Sequence, residues 1–163
     1  MENILKCYRD KYRGTCIKQS SQSVPVYWGH FSIVEAELLC LKDLLNTGRN
    51  WSFVLNMAGS EVMLLTNREL VANLSANMGR IHTDSYPLPQ KHYDRITMQW
   101  IYNPALNKMS SVTKYEKSPP FNISIYKGPK SWILPKKFTE FLFDQPVARE
   151  FIGTLLQVMT IIS

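Results

Sequence analysis

Asn50-Trp51-Ser52, Asn73-Leu74-Ser75 and Asn122-Ile123-Ser124 each set a hydroxyl residue two places after an asparagine, the acceptor pattern for N-glycosylation. Three such triplets point to a protein of the secretory pathway. Cys7, Cys16 and Cys40 form no C-x-x-C and keep no metal-ligand spacing with His30, His82 or His92, so no metal centre is read from the sequence. The odd cysteine count leaves at least one thiol free or paired outside this chain. Nineteen Lys and Arg against thirteen Asp and Glu give a net charge of +6 and favour an anionic partner: nucleic acid, a membrane surface or a nucleotide-sugar diphosphate. A nucleic-acid role rests on charge alone, and the cations are dispersed. Lys6, Arg9, Lys11, Arg13 and Lys18 fall near the start, and the rest are scattered, as on a solvated face.

The elements that would position such groups follow from periodicity. Ser32-Ile33-Val34-Glu35 has the form of a capping box. Apolar residues then recur at Ile33, Val34, Leu38, Leu41, Leu44 and Leu45 with helical spacing, and Gly48 supplies the left-handed stop. Residues 51–56 read as a short buried strand, followed by a loop holding Gly59. Thr66-Asn67-Arg68-Glu69 is a second capping box, opening a helix through Leu70, Val71 and Leu74 to a stop at Gly79. This order predicts an α/β domain with parallel strands. Residues 80–120 carry Pro87, Pro89, Pro104, Pro119 and Pro120 without a sustained period, as a long ordered excursion. Residues 121–127 alternate as a strand, Pro135 opens a helix that includes Phe138, Phe141, Leu142 and Phe143, and residues 154–163 form an apolar, uncapped end. A membrane span needs an apolar run of about 18 residues, and none is present. The first fifteen residues cannot serve as a signal peptide.

Three blocks carry a resemblance. The first runs from Val26 to Leu45 and matches a Ser-initiated helix of the form S-x-V-x-A-x-L-x-C-x-x-D-L-L. The second, Trp51 to Asn67, is similar to W-x-Y-x-x-N-x-C-G-x-D-F-P-[IL]-K-[ST]-N. The third, Ser118 to Gly128, is close to P-P-x-N-x-x-I-x-x-G. In this order, over roughly residues 24–151, they resemble the core 2/I-branching β-1,6-N-acetylglucosaminyltransferases of glycosyltransferase family 14. The resemblance implies a partial GT-A-like α/β fold, a UDP-GlcNAc donor, inversion at the anomeric carbon, and a galactose- or N-acetylgalactosamine-containing acceptor. It implies a Golgi membrane protein whose domain faces the lumen. It also implies catalysis without metal or other cofactor, basic side chains stabilising the charge that develops on UDP.

By the same resemblance, the loop after the second block holds the acceptor sugar through a Glu, a Lys and an Arg. Aligning on Pro89 and Arg95 places Asp84 at the Glu, His92 or Lys91 at the Lys, and Arg95 at the Arg. A carboxylate with two cations on one ordered loop suits hydroxyl recognition, because each group bonds in a fixed direction. The alternative is that they are surface charges. On the donor side, Glu61 replaces the family's Asp, or is an ordinary Glu near a helix start. Trp28 either stacks on a sugar or uracil ring or is a buried aromatic at a strand end. His30 is a donor contact or part of the helix cap. Cys40 matches a family cysteine bonded to one upstream, and Cys16 is the candidate for another half-cystine. The family's Cys, Asp and Pro in the second block are lost. Leu65 stands for its Lys, and Gly128-Pro129-Lys130-Ser131-Trp132 replaces G-S-A-Y.

The family's catalytic base is a Glu in an S-P-D-E stretch, which this sequence does not contain. No residue of the chain is therefore read as catalytic, and the isolated chain is expected to be inactive. The first nucleotide-binding unit, the stem and the membrane anchor would lie upstream of Met1. The expected organisation is a basic and polar segment at 1–23, the central part of a transferase domain at 24–151, and an apolar tail at 152–163 that diverges from the family. The rival readings are a catalytically dead carbohydrate-binding or scaffolding product and a xylosyltransferase-like relative.

Overall fold

A computed structural model describes residues 17–92, 94–114 and 119–161. Cys7, Cys16 and the basic cluster before Lys18 lie outside the described residues. Helix α1 (Ser32–Leu45) starts differently from the pattern expected of it. The cap is Phe31, whose carbonyl accepts the Glu35 N–H, so Ser32 is already inside the helix and cannot close a capping box. The Ser32 hydroxyl instead accepts the Tyr27 N–H at 3.0 Å, and His30 Nδ1 accepts the Ser32 N–H at 3.0 Å. His30 thus takes the capping role. Gly48 has φ +64°, as a helix stop requires.

Strand β1 (Phe53–Leu55) is half-buried and shorter than the expected buried strand. Helix α2 (Asn67–Ala76) opens on a complete capping box. Thr66 Oγ1 accepts the Glu69 N–H at 3.3 Å and the Glu69 carboxylate accepts the Thr66 N–H at 2.8 Å. These contacts, the Thr66 hydroxyl first, hold the Glu69 carboxyl below the usual carboxylate range.

The expected aperiodic excursion contains regular structure. Strand β2 (Tyr86–Pro87), a 3-10 turn (Gln90–His92) and the single-turn helix α3 (Asp94–Thr97) lead into a hairpin of β3 (Met98–Asn103) and β4 (Lys108–Lys114). A register shift between Met98 and Trp100 breaks the alternation a sequence reading depends on. In the turn, Asn103 Oδ1 accepts the Ala105 N–H and Asn107 takes φ +48°. The strand expected over 121–127 begins instead in a 3-10 turn (Pro120–Asn122), with Phe121 at φ +57° and Asn122 at φ +53°, and only its end forms a strand, the two-residue β5 (Tyr126–Lys127).

Pro135 ends β6 (Ile133–Pro135) and caps α4 (Lys136–Asp144), as its fixed φ suits. Helix α5 (Pro146–Val158) and β7 (Met159–Ile161) follow. The fold is α/β, and among the described residues the strand pairing is mostly antiparallel rather than the parallel pairing expected. β1 pairs with β6 and β2 with β5, both antiparallel, and the third sheet has the order β4-β3-β7, in which β3–β7 is the parallel pair. Buried Phe31, Leu41, Tyr102, Leu134 and Ala148 tie the helices to these sheets. The Tyr27 ring lies 4.4 Å from that of Tyr102, fastening the start of α1 to β3.

Candidate functional site

β6 is the hub of the site. Phe53–Leu55 pairs along one edge, and His82 forms an isolated bridge to Ile133 on the other through two 2.9 Å backbone bonds. Three connections therefore leave one small sheet: the loop after β1, the segment around 77–84, and residues 128–132 before β6. They enclose a cleft of about 870 Å³. Glu61 and Asp84, expected on the donor and acceptor sides, both line it, together with Asn77, Arg80, His82 and Ser131, which the sequence reading did not single out.

The wall that carries Glu61 is clamped. Asn56 donates its side-chain N–H to Glu37 Oε1 at 3.0 Å and to the Lys130 carbonyl at 3.2 Å. Glu61 accepts from the Ala58 N–H and, at 2.8 Å, from the Ser131 hydroxyl. These two bonds, the Ala58 amide first, hold the Glu61 carboxyl below the usual carboxylate range. A carboxylate with both oxygens engaged and a lowered pKa is a weak general base, so Glu61 serves to close the 57–62 loop onto Ser131. Its partner lies seventy positions away, which is why no local pattern announced it.

The wall that carries Asp84 depends on close backbone approach. A Cβ at Gly128 would stand 2.8 Å from the Asp84 carbonyl oxygen, so only glycine lets the third block lie against Asp84. Beyond this contact, β2 and β5 pair Tyr86 with Lys127 and Pro87 with Tyr126. Lys127 Nζ stands 3.5 Å from His92 Nε2 and 5.9 Å from the centre of the Tyr86 ring. Asp84 and His92 are thus joined to the third block through its neighbouring residues Gly128 and Lys127, and Lys127 is a residue the sequence reading missed. Lys91 is exposed on the 3-10 turn, outside the cleft lining. Arg95 belongs to α3, and its side chain lies outside the described residues.

Trp28 is 86% exposed, which rules out its reading as a buried strand-end aromatic, and it does not line the cleft. A second cavity of about 790 Å³ lies between α1, β1 and residues 18–21. There Asp43 accepts from the Ser20 hydroxyl and from the Ser21 amide and hydroxyl. These bonds, those from Ser21 first, hold its carboxyl below the usual carboxylate range and fix the incoming segment to α1. None of the candidate sugar-binding residues lines this cavity. Cys40 is exposed and free among the described residues. Among them there is also no cluster of three or more metal-ligating side chains, and no helix is long and apolar enough to cross a membrane. Asn50, Asn73 and Asn122 are all exposed.

Residues 14–152 match the family model of the Core-2/I-Branching enzyme. This chain belongs to that family of glycosyltransferases. It is 28% identical over 161 residues to a mouse β-1,3-galactosyl-O-glycosyl-glycoprotein β-1,6-N-acetylglucosaminyltransferase 4, covering 94% of this chain and 33% of the relative. It is 28% identical over 156 residues to the mouse N-acetyllactosaminide β-1,6-N-acetylglucosaminyl-transferase, covering 93% and 37%. A sheep β-1,3-galactosyl-O-glycosyl-glycoprotein β-1,6-N-acetylglucosaminyltransferase 3 is 25% identical over 149 residues, covering 91% and 32%. The chain therefore spans about a third of the length of these relatives.

Proposed function

We propose that this chain forms the acceptor wall and one donor-side wall of a β-1,6-N-acetylglucosaminyltransferase, which passes N-acetylglucosamine from UDP-GlcNAc to a galactose- or N-acetylgalactosamine-containing glycan. The observation that carries this reading is the cleft in which Glu61 and Asp84 face a common space. Asp84 accepts from acceptor hydroxyls, His92 and Arg95 complete the acceptor contacts, and Glu61 fixes the donor-side loop. Transfer proceeds without a metal, with protein cations stabilising the departing UDP. The protein works at the lumenal face of the Golgi membrane and carries N-glycans at Asn50, Asn73 or Asn122. Loss of gel mobility change on glycosidase treatment of the native protein would contradict that location.

The chain alone does not turn over. An inverting transferase needs a base near the operating pH, whose removal costs about 10²–10⁴ in rate, and the clamped Glu61 is not one. The test is transfer of labelled N-acetylglucosamine from UDP to a galactose-terminated acceptor by the purified chain. Counts no higher than a heat-killed control are expected, and turnover would make Asp84 the base. In an active longer form, Arg95→Ala should raise the acceptor KM roughly ten- to a hundredfold, the value of a charged hydrogen bond. Unchanged acceptor kinetics would return Arg95 to the solvated surface.

A further inference from the structure

The β2–β5 pair sets Tyr86 directly opposite Lys127, so the two side chains share one face of the ribbon. The Lys127 ammonium stands there between the Tyr86 ring, 5.9 Å from its centre, and the His92 Nε2 at 3.5 Å. The aromatic quadrupole of Tyr86 attracts an ammonium without cancelling its charge. The ammonium has three N–H donors, more than one imidazole nitrogen can engage. No carboxylate among the described residues lies within ion-pair distance of it. Tyr86 is 45% exposed, so its ring still offers an apolar face.

A cation with no carboxylate partner among the described residues, beside an exposed aromatic face, matches a sugar ring that bears a negative charge. The ring's C–H face lies on the tyrosine while the anion meets the ammonium. A neutral sugar can use only its N–H donors, whereas an acidic one also meets its charge. The placement relative to Asp84 supports the same ligand. Asp84 lies two residues before Tyr86, and its carbonyl abuts Gly128, the residue after Lys127. One wall therefore presents a carboxylate for hydroxyls and an ammonium for an acid group on adjoining stretches of backbone.

We infer that Lys127, with Tyr86 and His92, is a specificity-determining subsite for an acidic acceptor glycan, one carrying a carboxylate or a sulfate next to the sugar that Asp84 holds. This rests on the acceptor-wall reading of the cleft. Where that reading concerns the galactose-containing sugar, the subsite concerns the charge attached to it.

The test is calorimetric titration of the chain with three ligands: a neutral galactose-terminated disaccharide, the same disaccharide bearing a sialic acid, and its galactose-sulfated form. At least one acidic ligand is expected to bind about tenfold more tightly than the neutral one. Which of the two does so separates carboxylate from sulfate. Lys127→Ala should erase the acidic preference and Lys127→Arg should retain it. On the unmodified chain, raising the salt from low to several hundred millimolar should shrink the preference, a readout that does not depend on a variant folding. Equal binding of acidic and neutral ligands overturns the subsite and leaves the acceptor reading intact. UDP displacing the acidic glycan in competition overturns it too, since the charge would then serve the donor. Absence of binding by all three glycans overturns the acceptor reading itself, and this inference with it.

Discussion

The two walls of the cleft hold their carboxylates by different means. Glu61 is bound through its own oxygens, which accept the Ala58 amide and the Ser131 hydroxyl. Asp84 is positioned through its backbone, with its carbonyl against Gly128 and its strand partners beyond, and its side chain stays exposed. A carboxylate with both oxygens engaged by its own protein is structural. One fixed by its main chain keeps its oxygens for a ligand. The difference separates two acidic residues that composition and position along the chain leave alike.

The wall built on backbone approach should be the more sensitive to substitution. Gly128→Ala puts a methyl 2.8 Å from the Asp84 carbonyl, and main-chain atoms must give way. We expect a loss of about 1–3 kcal/mol, read from the urea midpoint, together with weaker glycan binding. An unchanged midpoint would show that the two segments are not held in contact. The far end of the Glu61 loop is anchored by the Thr66 cap, and Thr66→Ala should cost about 1 kcal/mol in the same experiment. The smallest effect belongs to Glu61 itself, which is exposed. Its folded pKa lies below the ordinary 4.5, so its clamp is fully present above that pH and is lost as pH falls through the folded value. Glu61→Gln should therefore lower stability at neutral pH and match the parent chain in acid. A difference that persists in acid would break the comparison between the walls.

How much of this was legible depends on the range of the forces involved. The pattern at Thr66 to Glu69 became a full capping box, with both reciprocal bonds formed. The same pattern at Ser32 to Glu35 did not, because His30 and Tyr27 take the Ser32 amide and hydroxyl. The β3–β4 hairpin escaped notice because its register shift and its Asn-Pro turn disrupt the two-residue period. Glu61 and Asp84, which the family motifs single out, both line the cleft. Their partners were invisible, since Ser131 and Gly128 reach them only through the pairing of β1, His82 and β2 with the 126–135 segment. Lys127 escaped for the same reason: within a strand-like stretch it reads as an outward lysine, and only the cross-strand pairing sets it against Tyr86.

The central claim is that Asp84 presents its carboxylate to an acceptor glycan while Glu61 does not. Titration of a neutral galactose-terminated disaccharide into the chain, its Asp84→Asn form and its Glu61→Gln form tests this directly. The account predicts saturable binding that Asp84→Asn weakens roughly ten- to a hundredfold, with Glu61→Gln affecting it far less. Equal affinities for the parent chain and Asp84→Asn, or a larger loss from Glu61→Gln, would contradict it.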